Sequence, residues 1–236
     1  MRAGRFVVDP AVFRRLPGIR VATAVALGIG EPLTDVDAEL GDAWRGAAAA
    51  AAPYGNAQSH PRVAPWRTAF RSMGVHPRGF PSSIEALLRR AMKGGEQFRI
   101  LPLVDLYHAV SLRNLTPAGA FDLGAVRGDV ELRPTREGDR FTALDADEPE
   151  VVPPGEVAYA DGPVVLTRHL VWRQAREGLV RPETGDVIVF SEVLGELEPE
   201  LATRVHDDLR GSLARVFRPE RLVTAVVDED SPELAW

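Results

Sequence analysis

Side chains that can move a proton recur among apolar residues in the middle of the chain. His108 sits in the apolar run 103–112, three residues after Asp105, a spacing that places both on one helix face. A carboxylate there can orient an imidazole as a base, and the same pair can equally be a structural hydrogen bond. Glu156 opens an alternating segment after Pro153-Pro154-Gly155, as a turn residue or as a carboxylate that meets a ligand. Trp172-Arg173-Gln174 closes a second such segment. A tryptophan beside an arginine can stack on a base or ribose, or fill the core with the arginine at its rim. Asp122, after Phe121, fits the cap of a turn.

Other chemistry is missing. There is no P-loop, no glycine-rich dinucleotide fingerprint, no His-Glu-x-x-His and no Gly-x-Ser-x-Gly elbow. His60, His76, His108, His169 and His206 show no metal-ligand spacing, so the sequence predicts no metal and no cofactor. With 0 cysteines there is no thiolate nucleophile and no disulfide framework. The first ten residues carry no long apolar core, and the weakly polar run 21–30 is too short to span a bilayer. The expectation is a soluble, cytoplasmic protein without a membrane partner.

The net charge of -6 speaks against a nucleic-acid partner until its distribution is read. Residues 62–99 hold eight basic and two acidic side chains, an excess of +6 in an otherwise neutral or acidic chain. Arg71, Arg78, Arg89, Arg90 and Lys93 belong to it and form a candidate phosphate-facing patch, or a solvated helix face.

The elements that position these groups follow from pattern. Residues 6–8 read as a strand, Asp9-Pro10 as a helix start, and residues 19–27 as a buried strand. Thr34 and Asp35 open a helix that runs into the alanines 47–52 and stops at Pro53. Residues 54–65 read as a loop, and residues 66–73 as a helix. Ser82-Ser83-Ile84-Glu85 has the form of a capping box, and Gly94-Gly95 ends its helix. Pro102 starts the helix of His108, and residues 114–122 read as irregular. The period then becomes alternating, with Asp161-Gly162 as a hairpin turn. A strand at 187–190, an amphipathic helix at 199–217, a strand at 222–227 and an acidic tail at 228–230 complete the chain. No repeat of 20–50 residues is visible. At 236 residues this predicts a single α/β domain, or an α+β one, with seven to nine strands around one mixed sheet system and flanking helices. Residues 1–59 read as an N-terminal extension packed on a main domain of residues 60–236.

The order of segments resembles one family. Arg71-Ser72-Met73-Gly74, Pro81-Ser82-Ser83-Ile84-Glu85, the run from Pro102 through Asp105 and His108 to Ser111-Leu112, Gly119-Ala120-Phe121-Asp122, Gly155-Glu156-Val157 and Trp172-Arg173-Gln174 follow one another. Together they look like free-standing members of the B3/B4 domain family, the tRNA-editing module of the phenylalanyl-tRNA synthetase beta subunit. The resemblance spans about residues 60–217. It implies hydrolysis, in trans, of the ester of a mischarged tRNA, with no DNA partner. Three positions depart from the pattern: Gly119 stands where the synthetase has histidine, Trp172-Arg173-Gln174 stands where it has Gly-Gly and a glutamate, and His108 stands where free-standing relatives usually have asparagine. A tyrosine-reading pocket is therefore not expected. The substrate is expected to be a non-cognate or analogue amino acid.

On this reading the site lies between the helix of His108, a loop at 119–122 and the strands of Glu156 and Trp172. Gly119 would let the ester approach, N–H groups through Phe121 would hold the oxyanion, and His108 would handle the proton, with Asp122 beside them. Asp105, Ser111, Glu156 and Gln174 would read the amino acid, while Trp172 or Arg173 would hold the terminal adenosine. Two other classes remain open: a tRNA- or RNA-binding module without hydrolysis, and an enzyme or sensor for a free amino acid or small metabolite.

Overall fold

The computed structural model describes residues 3–94 and 97–236; Gly95, expected to help end a helix, lies outside them. Among the described residues the order is β1 (Arg5–Val8), α1 (Pro10–Arg15), β2 (Arg20–Leu27), α2 (Asp37–Ala51), α3 (Ala64–Ser72), α4 (Ser83–Met92), α5 (Pro102–Asn114), β3 (Gly119–Asp122), β4 (Val130–Pro134), β5 (Arg140–Phe141), β6 (Glu150–Val151), β7 (Val157–Asp161), β8 (Val164–Arg168), β9 (Arg173–Gln174), β10 (Asp186–Val193), α6 (Pro199–Phe217), β11 (Arg221–Val227) and β12 (Glu233–Ala235).

The strands form two sheets rather than one system. The larger is mixed, in the order β12-β1-β4-β7-β8-β5-β6, with β9 on β8. The smaller is antiparallel, in the order β11-β2-β10-β3. The count exceeds the expected seven to nine because β5, β6, β9 and β12 have two or three residues each. Alternation cannot be recognised over so short a run. Residues 228–230, expected as an acidic tail, form a turn that leads into β12. The Asp228 carboxylate accepts from the N–H groups of Asp230 and Ser231, turning the chain back onto β1.

Local signals act as physics requires. Asp9 accepts from the Ala11 N–H at 2.8 Å, with Pro10 in the first turn of α1. Residues 1–59, expected as an extension, supply strands to both sheets, and β2 lies between β11 and β10 with every residue after Arg20 buried. The alanine-rich α2 lies against α5 and α4. α6 buries Leu201, Val205, Leu209, Leu213 and Val216 on the smaller sheet. α5 is apolar on most of its surface, as a helix enclosed by others must be. No helix among the described residues is long and apolar enough to cross a membrane.

Candidate functional site

Where the two sheets meet the helices there is a cavity of about 160 Å³. β3 and β10 form one side of it through Gly119, Phe121, Phe190 and Glu192. The larger sheet contributes Thr167, Arg173 and Gln174, α5 contributes Tyr107 and His108, and Ser83 and Trp172 stand at the rim. Residues 119–122, expected as irregular, are strand. Gly119 pairs with Phe190 in register, and a Cβ on Gly119 would lie 3.1 Å from the Phe190 ring. Phe121, Tyr159 and Phe190 pack as an aromatic cluster beneath this strand, with the rings of Tyr159 and Phe190 stacked at 4.4 Å.

β3 is an edge strand, and its backbone directions decide what faces outward. The Ala120 carbonyl accepts from Gln174 Nε2 at 3.0 Å, and the Asp122 N–H donates to the Gly178 carbonyl at 2.9 Å. Both point away from β10. A residue's N–H and C=O project to the same side of a strand, so the Ala120 N–H also leaves β10 and points to the open edge. It is a backbone donor on the edge of β3 that borders the cavity.

His108 stands between the rings of Tyr107 and Phe98, at centroid distances of 5.0 and 5.6 Å. Burial, reinforced by the charge of Arg90, lowers its pKa to about 4, so the imidazole is neutral at pH 7 and a weaker base than a free histidine. Asp105 does not orient it. Its buried carboxylate accepts from the Ile100 N–H at 3.1 Å and faces Arg99 at 3.5 Å, fastening the start of α5.

Glu192 was not among the expected site residues. It is 1% exposed, lines the cavity and accepts from the Tyr159 hydroxyl at 2.6 Å, with no cation paired to it among the described residues. Burial raises its pKa to about 7. Its signal lay in the sequence: a carboxyl inside the apolar run of β10, two residues past Phe190 and so on the same face.

Other expected residues have different work. Glu156 does not line the cavity. Its carboxylate accepts from Arg168 Nε at 2.7 and 2.9 Å and from the His169 N–H at 2.6 Å. His169 and Leu170 hold φ of 49° and 63°, a left-handed pair that side chains other than glycine rarely adopt. Glu156 therefore clamps a strained turn. That turn docks on α4, where the Ser83 N–H donates to the Val171 carbonyl at 2.7 Å, and it sets Trp172 against Phe80 at 4.6 Å. Asp122 accepts from the Gly124 N–H and the Thr184 hydroxyl, both at 2.8 Å, which is the turn cap, and it does not line the cavity. The Ser111 hydroxyl is spent on the Thr116 carbonyl at 2.6 Å. Arg173 pairs with Asp145 at 2.5 Å beside the Trp172 ring.

The basic segment divides. Arg71, Arg78, Arg90 and Lys93 are exposed and form no ion pair among the described residues. Arg89 instead bonds Glu85 at 2.6 Å, and Arg67 bonds the same carboxylate at 2.9 Å. The capping box is thus half present. Ser82 Oγ accepts from the Glu85 N–H at 3.3 Å, while the Glu85 side chain is buried against the two arginines. A roomier cleft of about 500 Å³ lies between α2 and α5, but it is lined by alanines, Leu112 and Leu115, and its Arg113 already pairs with Glu39 at 3.3 Å. Among the described residues its acids are ion-paired, Asp42 with Arg45 and Glu39 with Arg113 and Arg215.

These features define a two-sheet α/β domain with a small cavity that carries a neutral imidazole, a buried carboxyl and an edge-strand N–H. Residues 65–226 match the model of the B3/4 domain, and the chain belongs to that family. Its fold is similar to an N-terminal fragment of the phenylalanyl-tRNA synthetase beta subunit from Pyrococcus horikoshii. The TM-score is 0.50 at 12% identity, over 98% of this chain and 53% of that one. This chain therefore spans about half the length of that fragment. No curated protein matches it significantly.

Proposed function

We propose that the protein hydrolyses mischarged aminoacyl-tRNA in trans. The observation that carries this reading is the convergence, in one cavity of a B3/4 domain, of His108, the Gly119–Asp122 edge strand and Glu192. Water adds to the ester carbonyl carbon while neutral His108 takes its proton. The negative oxygen that forms is held by the Ala120 N–H. Collapse expels the ribose oxygen, which takes the proton back from His108, releasing free amino acid and tRNA. A side chain at position 119 would press on the Phe190 ring at 3.1 Å, so glycine there lets β3 pack closely at the cavity wall and keeps a side chain off the ester. A cavity of about 160 Å³ with one buried carboxyl selects an amino acid of modest size that has a hydrogen-bond donor for Glu192, since a ligand lacking one adds nothing to the carboxyl's bond from Tyr159. Arg71, Arg78 and Lys93 supply the tRNA surface.

The test is release of free amino acid from tRNAs mischarged with different residues, with free aminoacyl esters and free amino acids as competitors. The reading expects cleavage of at least one non-cognate ester and sparing of its cognate counterpart. The second reading, tRNA binding without hydrolysis, draws on one observation: Gly119 brings no side chain and Asp122 faces away, which leaves His108 and Glu192 as the proton acceptors of the cavity among the described residues. Binding of uncharged tRNA with no ester cleaved would establish it.

A further inference from the structure

Arg90 differs from Arg62, Arg67, Arg89 and Arg99 in having no ion pair among the described residues, and from Arg71, Arg78 and Lys93 in lining a cavity. Arg62 pairs with Glu198, Arg67 and Arg89 with Glu85, and Arg99 with Asp37 and Asp105. Arg90 forms no hydrogen bond or ion pair among the described residues, and its guanidinium lies 4.8 Å from the centroid of the Phe98 ring. It does not simply face solvent. Arg90 lines a second cavity, of about 230 Å³, walled by Leu87, Phe98 and Trp172. This chamber shares Ser83, His108, Ala118 and Trp172 with the inner cavity, so the two are adjoining parts of one cleft with His108 between them. It runs along one flank of α4 from Ser83 to Arg90, seven residues and about 10 Å of helix.

The chamber thus has aromatic walls, a cation without an ion pair among the described residues at its outer end and the proposed reacting centre at its inner end. We infer that it is a nucleotide subsite, which takes the terminal nucleoside of the ester between Phe98 and Trp172 and its 5′-phosphate on Arg90. This inference rests on the aminoacyl-ester reading of the inner cavity. An arginine with five N–H donors matches a phosphate, and aromatic faces accept any base. The arrangement fixes the direction of the substrate: amino acid inward towards Glu192, ester at His108, phosphate outward. It also separates two arginines that the sequence leaves equivalent, since Arg89 is held by Glu85 and Arg90 has no ion pair among the described residues.

Calorimetric titration of the intact protein with adenosine 5′-monophosphate, adenosine and inorganic phosphate tests the subsite without any ester. The wild type is expected to bind the monophosphate about tenfold more tightly than adenosine, as one charge-assisted phosphate contact provides. Arg90→Gln should bring the two ligands to equal affinity while leaving adenosine unchanged, and Arg90→Lys should restore part of the preference. Equal affinities in the wild type, binding of neither nucleoside at millimolar concentration, or an undiminished preference in Arg90→Gln would each overturn the inference. A protein that prefers the monophosphate yet cleaves no mischarged tRNA would overturn the deacylase reading and keep the subsite. Cleavage without a phosphate preference would do the reverse.

Discussion

Replacing Glu192 by glutamine removes a charge that the fold holds at a cost. The side chain is fully enclosed, the Tyr159 hydroxyl and its own backbone N–H donate to it, and its pKa is raised from 4.5 to about 7, first by burial. That difference corresponds to about 3 kcal/mol. Below the unfolded value the carboxyl is protonated in both states and contributes nothing. As pH rises from 4.5 to about 7, the unfolded chain releases its proton and the folded chain keeps it, so stability falls and stays lower above that range. His108 pulls the other way. Its pKa is lowered from 6.5 to about 4, so the unfolded chain alone takes up a proton as pH drops through that window, and acid destabilises the fold. The two groups oppose each other between pH 4.5 and 6.5, and the wild-type curve hides both. Urea denaturation at several pH values from about 5 to 8, at fixed ionic strength, separates them. Glu192→Gln should gain about 3 kcal/mol on the wild type as pH rises through this range. Parallel curves for the two proteins would refute the claim that burial raises the pKa of Glu192.

Three further outcomes follow from the geometry. Ser82→Ala should cost about 1 kcal/mol through removal of the cap, whereas Glu85→Ala should cost about 3 kcal/mol because it strands half-buried Arg67, as thermal and urea unfolding would show. Glu156→Gln should loosen the turn at 168–172 and cost about 2 kcal/mol of stability. It should slow hydrolysis of every cleaved ester alike, and a changed order of preference among esters would mean that Glu156 reads the amino acid after all. Arg71→Ala with Arg78→Ala should lower the log–log salt slope of tRNA binding by about 0.7 for each phosphate left without its arginine, with Arg89→Ala changing it less; filter binding at graded salt measures this.

Much of the fold was legible because its signals are local. Asp9-Pro10, Ser82, the Asp161-Gly162 hairpin and the stripe of α6 each state their element within a few residues. The division into two sheets was not legible. It depends on which strand pairs with β2, and that partner, β10, lies more than 150 residues away. The site shows the same division. His108, Gly119, Trp172 and Gln174 do share one cavity. Glu156 and Asp105 were misread because a carboxylate at the start of a strand or helix looks alike whether it meets a ligand or fastens backbone, and only the positions of Arg168, the His169 N–H and the Ile100 N–H tell them apart. Glu192 was passed over because β10 reads as a plain buried strand, although a charge in such a run is the informative exception.

The central claim is that one cavity carries ester hydrolysis while a separate surface carries tRNA. The direct measurement is a deacylation time course on the cleaved mischarged tRNA for wild type, Gly119→Val and His108→Ala, with binding of uncharged tRNA to the same preparations. Gly119→Val places methyl groups against Phe190, and His108→Ala removes the proton acceptor, a loss of about 10²–10³-fold in rate. Both variants should lose hydrolysis to that extent and bind tRNA as the wild type does. Wild-type hydrolysis rates in both variants would contradict the assignment of this cavity as the site.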